Sequence, residues 1–462
     1  MRTGTGWVFG PAVALAVSTA LPGVSAAAGG GYSFEAVVYL GDSVDGDALV
    51  NDFEPGAISS SGDIAFGTDV SGGEAVYLRR HGGPITRVGR TDGAAPGGGT
   101  YEFGFLGPVA LNDEGDMLFD FLLKDFALPV GANAGTYVRR HSTGEVTPVV
   151  IPYVTPVPGG GTFLGVSFTP TINNRGDMYF NGLIETEDGV HAAGEPYGGV
   201  GFGLFKANRG GRIVSIVGPG DPAPGGGTFD FIWEAWANDG GDVAFGAHEA
   251  GEPTDVEGFP PQEVIIHGIT SLYAMKGATG AIQSVVHSGD PAPGGGSFRQ
   301  AFHPMINSRG NIAFNGDVTA APGSNEIIGV FARIGGKIVD VARPGDPLPG
   351  GGTLATASNI GGNLHINNRD EIVFNGRVDT GDDPVQTGLF RWNKGTLSVV
   401  VRSGTVIPGV GTVAQLTAPV LTFPPSPVLV PNSGALNNDR GQVFFAATLT
   451  DGRGVLLVAT PK

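Results

Sequence analysis

A Glu, a His and an Asn occupy the same position in three copies of a repeated pattern, and their side chains could bind a polar ligand or transfer protons. Glu234, His303 and Asn363 each lie four residues before the Asn of a predicted turn. A carboxylate and an imidazole on adjacent strands are the minimum for general acid and base catalysis. Trp233 and Trp236 flank Glu234, and an indole ring offers an apolar face on which a sugar can stack. We predict a binding site at these five residues, with Glu234 and His303 as the candidate acid and base; the simpler alternative is that they bond one another or water.

Acidic residues in two long segments between predicted strands form a second set of candidate ligands. Oxygen-rich loops suit Ca²⁺, and a His beside carboxylates suits a transition metal. No recognised ligand spacing is present, so solvated loops on an acidic protein are the alternative. The sequence indicates no cofactor other than Ca²⁺. The candidate metal ligands are Glu185, Glu187 and Asp188 in segment 181–201, and Glu252, Asp255 and Glu257 in segment 248–268.

The elements that must position these residues follow a repeated pattern, Asn-x-x-Gly-x-x-x-Phe. Its seven copies are spaced by about 63 residues on average, which is room for four strands and their loops. With 81 Gly and 34 Pro among 462 residues, no long helical pattern remains after residue 28, so helical bundles and α/β folds are excluded. The Gly and Phe positions are Gly62/Phe66, Gly115/Phe119, Gly176/Phe180, Gly241/Phe245, Gly310/Phe314, Asp370/Phe374 and Gly441/Phe445.

Each copy predicts a turn followed by a buried strand. Asn at the first position of a type I turn bonds its own backbone, and Gly at the fourth position adopts a positive φ. The exceptions, Ser59 and Asp370, are residue types that such turns tolerate. A Pro-Gly-Gly-Gly-Thr loop precedes six of the turns, and a hairpin follows the Phe strand. Each unit therefore has strand A before the Asn turn, strand B through the Phe, and strands C and D in the hairpin.

The two ends of the chain indicate how the units are arranged. The final unit ends after strand C, whereas an unassigned strand lies at residues 32–40. Pairing these two strands completes the last unit and removes two exposed sheet edges. We predict an all-β fold, a seven-bladed β-propeller with four antiparallel strands per blade, over residues 27–462 as one domain. A solenoid and an array of sandwiches are the alternatives.

The N-terminus predicts export. Arg2, an apolar run and a small-residue cleavage site ending at Ala26 are typical of a signal peptide, here residues 1–26. An uncleaved anchor is the alternative, but Pro11 and Pro22 leave too few apolar residues to span a bilayer. Cysteine is absent, which excludes disulfides and thiol chemistry. We expect a secreted or periplasmic protein with no membrane insertion after signal removal.

The repeats also carry a family resemblance. The seven Asn-x-x-Gly-x-x-x-Phe copies resemble the bacterial NxxGxxxF tandem-repeat family, exported proteins with varied C-terminal anchors. The resemblance covers nearly the whole chain after the signal and implies export, but no activity. The chain departs from the pattern because it ends in Thr460, Pro461 and Lys462 without a hydrophobic anchor, so surface attachment is not implied.

Function is predicted from charge and from the two faces of the propeller. The formal net charge of −18 disfavours nucleic acid and anionic membranes as partners.

The Asn turns and the C–D hairpins share one face of the propeller. The basic residues 79–81 and 139–141, at two neighbouring C–D turns on this face, are predicted to be solvated hairpin ends or a small basic patch. The B–C loops share the other face with the Pro-Gly-Gly-Gly loops, and variable loops carry function. We predict a monomeric, non-enzymatic binding module for a glycan or an extracellular protein, acting through the B–C loops of blades 3 and 4. A hydrolase or lyase with its acid and base at the central channel, and a structural matrix protein, are the alternatives.

Overall fold

The computed structural model describes most of the chain from residue 31 onward. The described residues are 31–102, 109–124, 134–166, 170–185, 200–250, 271–319, 327–356, 364–381, 386–416, 422–423, 426–427 and 437–462. Within these ranges every regular element is a β-strand. No helix with the length and apolarity needed to cross a membrane occurs among them.

Seven antiparallel sheets of four or five strands form the blades, which we number 1 to 7 in chain order, and there is one further sheet of two short strands. Blade 7 includes β1 (Tyr32–Tyr39), the first strand of the chain. Blade 1 comprises β2 (Ser43–Val44), β3 (Asp47–Ile58), β4 (Ile64–Val70), β5 (Gly73–Arg79) and β6 (Ile85–Arg90). Blade 2 comprises β7 (Ala110–Leu111), β8 (Met117–Leu122), β9 (Ala134–Arg139) and β10 (Val146–Val150). Blade 3 comprises β11 (Gly165–Val166), β12 (Thr171–Ile172), β13 (Met178–Glu185), β14 (Val200–Ala207) and β15 (Ile213–Val217).

The remaining blades repeat this order. Blade 4 comprises β16 (Phe229–Ala237), β17 (Val243–Glu249), β18 (Ser271–Met275) and β19 (Ile282–Val286). Blade 5 comprises β20 (Ser297–Ile306), β21 (Ile312–Thr319), β22 (Ile327–Ile334) and β23 (Lys337–Ala342). Blade 6 comprises β24 (Thr353–Thr356), β25 (Leu364–Ile366), β26 (Ile372–Asp379), β27 (Gln386–Asn393) and β28 (Thr396–Arg402). Blade 7 adds β29 (Val406–Ile407), β30 (Gly411–Leu416), β33 (Val443–Leu449) and β34 (Gly454–Pro461), and β31 (Thr422–Phe423) pairs with β32 (Ser426–Pro427).

The ring closes as the sequence predicts. Strand β1 pairs antiparallel with β34, from Tyr32 opposite Pro461 to Tyr39 opposite Val455, and becomes the outer strand of blade 7. Strand β3 of blade 1 in turn contacts β33 of blade 7. The chain is therefore a seven-bladed β-propeller whose first and last strands complete one sheet.

The Phe of the repeat is the centre of each blade's core. In blades 1 to 6 it packs against an aromatic ring directly opposite on strand C, with ring centroids 5.4–5.9 Å apart, as Phe66 does with Tyr77 and Phe314 with Phe331. In blades 2 to 5 a third aromatic ring follows the Gly-rich loop directly, and in blade 5 Phe298 meets Phe331 edge-on at 4.9 Å. The Gly-rich loops thus deliver one core side chain per blade.

Blade 1 has a counterpart of the Gly-rich loop although its sequence lacks the Pro-Gly-Gly-Gly pattern. In blade 4 the backbone N–H of Gly220 donates to the carbonyl of Phe229, at 2.7 Å, and closes the loop. In blade 1 Gly41 donates to Leu49 in the same way, at 2.9 Å, around the short β2–β3 hairpin. The backbone bonds that close the loop are therefore kept while its sequence changes.

The turn Asn side chains hold the blades together around the axis. Each Oδ1 accepts the backbone N–H four residues later, at 2.8–3.1 Å, which confirms the predicted turn. Each Nδ2 donates to the backbone carbonyl of the equivalent residue in the next blade, at 2.8–3.1 Å, a link that the sequence analysis did not anticipate. We call these six links the Asn ring; its donors are Asn112, Asn173, Asn238, Asn307, Asn367 and Asn438.

The arginines of the C–D turns also link neighbouring blades. Arg80 pairs with Asp63 of its own blade and donates to the carbonyl of Gly115 in blade 2, at 3.3 Å. Arg140 pairs with Asp116 at 2.9 Å and donates to the carbonyl of Arg209 in blade 3, at 3.1 Å. These guanidinium groups are neither solvated hairpin ends nor a free basic patch, because each is engaged on both sides of a blade boundary.

Candidate functional site

The backbone of strand A changes conformation at the two residues predicted to carry chemistry. Glu234 and His303 have φ values of 43° and 53°, in the left-handed region that non-glycine residues rarely occupy. Both lie at bulges, because the strand A to strand B register shifts between Trp233 and Ala235 in blade 4 and between Phe302 and Met305 in blade 5. Strained backbone of this kind clusters at binding and catalytic sites.

The structure brings Glu234 and His303 together. His303 Nε2 lies 3.1 Å from Glu234 Oε1, and the backbone N–H of His303 donates to Glu234 Oε2 at 2.6 Å. His303 Nδ1 lies 3.3 Å from the side-chain oxygen of Asn315. Glu234 and His303 are 6% and 7% exposed, so water screens their interaction poorly. The arrangement can hold a proton between two groups or bind a polar ligand on strand A.

The other residues of the predicted site are only partly described. Asn363 and the side chain of Trp233 lie outside the described part of the structure. Trp236 is half-buried at the channel, where its ring centroid lies 6.0 Å from that of His365.

The predicted metal ligands lie largely outside the described ranges. Glu185 is the last residue of β13, and its side chain is not among those described. Glu187, Asp188, Glu252, Asp255 and Glu257 fall in the undescribed segments 186–199 and 251–270. His248 and Glu249 belong to strand β17 and are 7% exposed, so they are not loop residues as segment 248–268 implied. Among the side chains that are described, no group of three or more His, Asp or Glu is placed to hold a metal ion.

Blade 4 carries two further carboxylate and imidazole pairs at the end that bears its B–C loop. His248 Nδ1 lies 2.7 Å from Asp230 Oδ1. His287 Nε2 lies 3.3 Å from Glu249 Oε1, which also accepts the Tyr273 hydroxyl at 2.5 Å. Sequence reasoning missed Asp230 and His287; the signal was their place at the start of strand A and the end of strand D, which share the face of the B–C loop.

A cavity of about 130 Å³ lies on the axis at the Asn-turn face. Three residues from every blade line it: the turn Asn or Ser, the residue before it and the residue after it; Trp236 and His365 add the side chains of its inner end. The residues after the turn Asn form a second ring, in which backbone N–H groups donate to the next blade's side chain, as Asp113 does to Asn174 at 2.7 Å and Asn368 to Asp439 at 2.8 Å. Its carboxylates are Asp113, Asp239 and Asp439.

His365 is a functional candidate that the sequence analysis did not select. Its Nδ1 lies 2.6 Å from Asn437 Oδ1, and Asn437 Nδ2 donates to the carbonyl of Glu371 at 3.2 Å. Burial lowers the pKa of His365, although the hydrogen bond to Asn437 opposes that shift. The imidazole is therefore neutral near pH 7, with its proton on Nδ1. The signal was its position two residues before the turn Asn367.

Comparison with known proteins places the chain in a family. The chain belongs to the Family of unknown function DUF7453, whose model matches residues 8–261 and 267–452. No curated protein matches it. Among solved structures it is similar to an oligogalacturonate lyase in complex with manganese, at 14% identity over 94% of this chain and 98% of the other, with a TM-score of 0.49. It is also similar to the β-propeller domain of the Trilobed protease from Pyrococcus furiosus, at 8% identity over 89% of this chain and 98% of the other, with a TM-score of 0.47.

Proposed function

We propose that the protein is an exported binding module that takes a polar ligand, a glycan or a segment of an extracellular protein, on the blade 4 side of its B–C loop face. One observation carries the proposal. All three close contacts between a carboxylate and an imidazole among the described residues involve blade 4, namely Asp230 with His248, Glu249 with His287, and Glu234 with His303.

Such pairs favour ligand binding for a physical reason. Buried titratable pairs cost desolvation energy and rarely increase stability over apolar packing, so their concentration in one blade favours a functional role. Hydroxyl groups of a glycan donate to carboxylates and accept from imidazoles. The segment 251–270, which connects β17 to β18 in the chain, carries Glu252, Asp255, Glu257 and Glu263.

Thermal unfolding of residues 27–462 with a glycan panel, with Ca²⁺ and with EDTA tests the proposal. A ligand that binds only the folded state raises the melting temperature in a saturable manner. We expect a saturable shift that is lost when residues 252–266 are replaced by a Gly/Ser linker of equal length, which leaves Glu249 in its strand. The same replacement of residues 320–326 in blade 5 is the matched control. An unchanged shift in the blade 4 variant would refute the proposal, whereas a Ca²⁺ shift lost in that variant would assign the metal to these acids.

The Glu234 and His303 pair supports an enzyme as the second candidate. A hydrogen-bonded carboxylate and imidazole in strained backbone suit general acid and base catalysis in a hydrolase or lyase. Turnover of any glycan of the panel that falls at least a hundredfold in Glu234→Gln would support this function. Unchanged turnover in that variant would dispose of the assigned roles. If the protein shows no binding and no turnover with any compound of the panel, a structural role in an extracellular matrix is favoured.

A further inference from the structure

The axial cavity on the Asn-turn face has the chemistry of a site for a small organic cation. It is separate from the site proposed above, because neither Glu234 nor His303 lines it. Its volume of about 130 Å³ is close to the cavity volume of about 150 Å³ that accommodates a six-carbon ring. The cavity therefore has room for a molecule of a few heavy atoms.

A hydrogen-bond acceptor at the inner end of the cavity has no donor among the residues that the structure describes. His365 is 9% exposed, and its Nδ1–H is engaged by Asn437, whose amide orientation is fixed by its bond to Glu371. That bond leaves the lone pair on Nε2. No described group donates to His365 Nε2, and His365 lines the cavity. An acceptor on a residue that lines the cavity, without a described donor, favours a ligand that brings an N–H or O–H group.

The charge around the mouth of the cavity favours a cation. Asp113, Asp239 and Asp439 line the cavity, and among the described residues no Lys or Arg does. A single amide nitrogen, Asn174 Nδ2, lies 3.1 Å from Asp113 Oδ2 and 3.0 Å from Asp239 Oδ2, so two carboxylates face each other across one uncharged group. Their negative potential is focused at the entrance.

The nearby arginines lie outside the lining of the cavity. They occupy the third position of four turns and do not line the cavity. Arg309 pairs with Asp370 at 2.7 Å, and Arg369 pairs with Glu371 at 2.8 Å. Arg175 and Arg440 are exposed.

We propose that this cavity binds a small protonated primary amine, which donates one N–H to His365 Nε2 and is neutralised by the ring of Asp113, Asp239 and Asp439. Trp236 lines the cavity beside His365, and an indole ring adds attraction for a cation. The apolar residues before the turn Asn, such as Ile58 and Ile306, give the amine's alkyl group its contacts.

Isothermal titration calorimetry at constant ionic strength tests the proposal with n-propylammonium as the probe. We expect saturable binding at one site. The neutral 1-propanol lacks the charge, tetramethylammonium lacks the N–H and K⁺ lacks both the N–H and the alkyl group, so each should bind at least tenfold more weakly. No saturable binding of n-propylammonium, or equal binding of 1-propanol, would overturn the proposal.

Variants locate the site. His365→Phe removes the acceptor, and Asp239→Asn removes one charge while keeping an oxygen for the N–H of Asn174. Each should weaken n-propylammonium at least tenfold, whereas Glu114→Gln, an exposed acid of the same turn as Asp113, should not change it. If His365→Phe does not fold, Asp113→Asn and Asp439→Asn replace it, since both residues lie at the solvent-facing ring. Wild-type affinity in the folded variants would refute the site.

Discussion

Asn438 donates its side-chain amide to the backbone carbonyl of Ser59, at 2.8 Å, although the two residues are 379 positions apart in the chain. This bond closes the Asn ring between blades 7 and 1, near the axis. At the periphery, the pairing of β1 with β34 completes blade 7. The propeller is therefore held closed both at its centre and at its rim.

The one break in the Asn ring gives the first prediction. Ser59 keeps the bond within its own turn, because its Oγ accepts the N–H of Asp63 at 3.0 Å, but it has no amide to donate to Asn112. We expect Ser59→Asn to supply that donor and raise the free energy of unfolding by about 1 kcal/mol. Chemical denaturation measures it, with Asn112→Ser as the reverse change. A lower stability for Ser59→Asn would contradict the prediction.

Asp120 gives a prediction about pH. Burial raises the pKa of Asp120 to about 8, although the neighbouring Thr136 hydroxyl opposes the shift. Below about pH 4 the carboxyl is protonated in both states; between about pH 4 and pH 8 only the folded state keeps the proton, so stability falls as the pH rises. Asn181, Asn315 and Asn375 occupy the equivalent position in blades 3, 5 and 6, so an amide suits this site.

We therefore expect Asp120→Asn to reduce this loss of stability and to raise the free energy of unfolding at pH 8 by an amount on the order of a few kcal/mol. Denaturant titrations at several values between pH 5 and pH 8 compare the two proteins, with the exposed Glu114→Gln as control. Parallel stability curves for the wild type and Asp120→Asn would show that this carboxyl is ionised in the fold.

Gly316 gives a prediction about packing. A Cβ there would lie 2.7 Å from the ring of Phe298 and 2.8 Å from that of Phe331, and both rings are buried. We expect Gly316→Ala to destabilise the protein by about 1–3 kcal/mol, because rigid rings cannot give way without shifting the sheet. Gly225→Ala is the control, since no atom lies within 4 Å of the added methyl group. Equal melting temperatures for the two variants would be inconsistent with this packing.

The Glu234 and His303 pair gives a prediction about coupling. Removing either partner leaves a buried polar group without its main interaction, so each alanine variant should lose about 2–4 kcal/mol. The double variant should lose clearly less than the sum, with a coupling of more than about 1 kcal/mol. The exposed pair Asp451 and Arg453 is the control, for which we expect little or no coupling because solvent screens the two charges. Additive losses at Glu234 and His303 would show that the contact is energetically weak.

The sequence predicts the fold well because the repeat is expressed in residue types that the backbone requires. The Gly or Asp of each copy has a positive φ, including Asp370 at 62°, and the Phe is buried in every copy. Counting four residues back from the turn Asn places Glu234 and His303 on neighbouring strands, and they are in contact. The same count could be extended to the position two residues before the turn Asn, because positions two and four residues back lie on one face of a regular strand. In blade 6 the position two residues back is His365.

Other features have no such signal. Glu and His rarely adopt the left-handed conformation, so nothing in the sequence reveals the bulges at Glu234 and His303. The turn pattern explains the Oδ1 of each Asn but not its Nδ2, which bonds a residue about 60 positions away. Ser59 is the one copy in which the bond within the turn is kept and the bond to the next blade is lost. This difference can be interpreted only when the positions of the neighbouring blades are known.

Closure through β1 has a consequence for how the protein reaches its fold. Strand β1 is the first strand of the chain, and its partner β34 is the last. Their pairing therefore joins residues that are more than 400 positions apart and requires both ends of the chain to be present. Contacts of this kind slow folding, and an unpaired strand is a template for aggregation until its partner arrives. Delayed capture of β1 should make the refolding yield depend on protein concentration, whereas in the finished ring β34 pairs with one edge of β1.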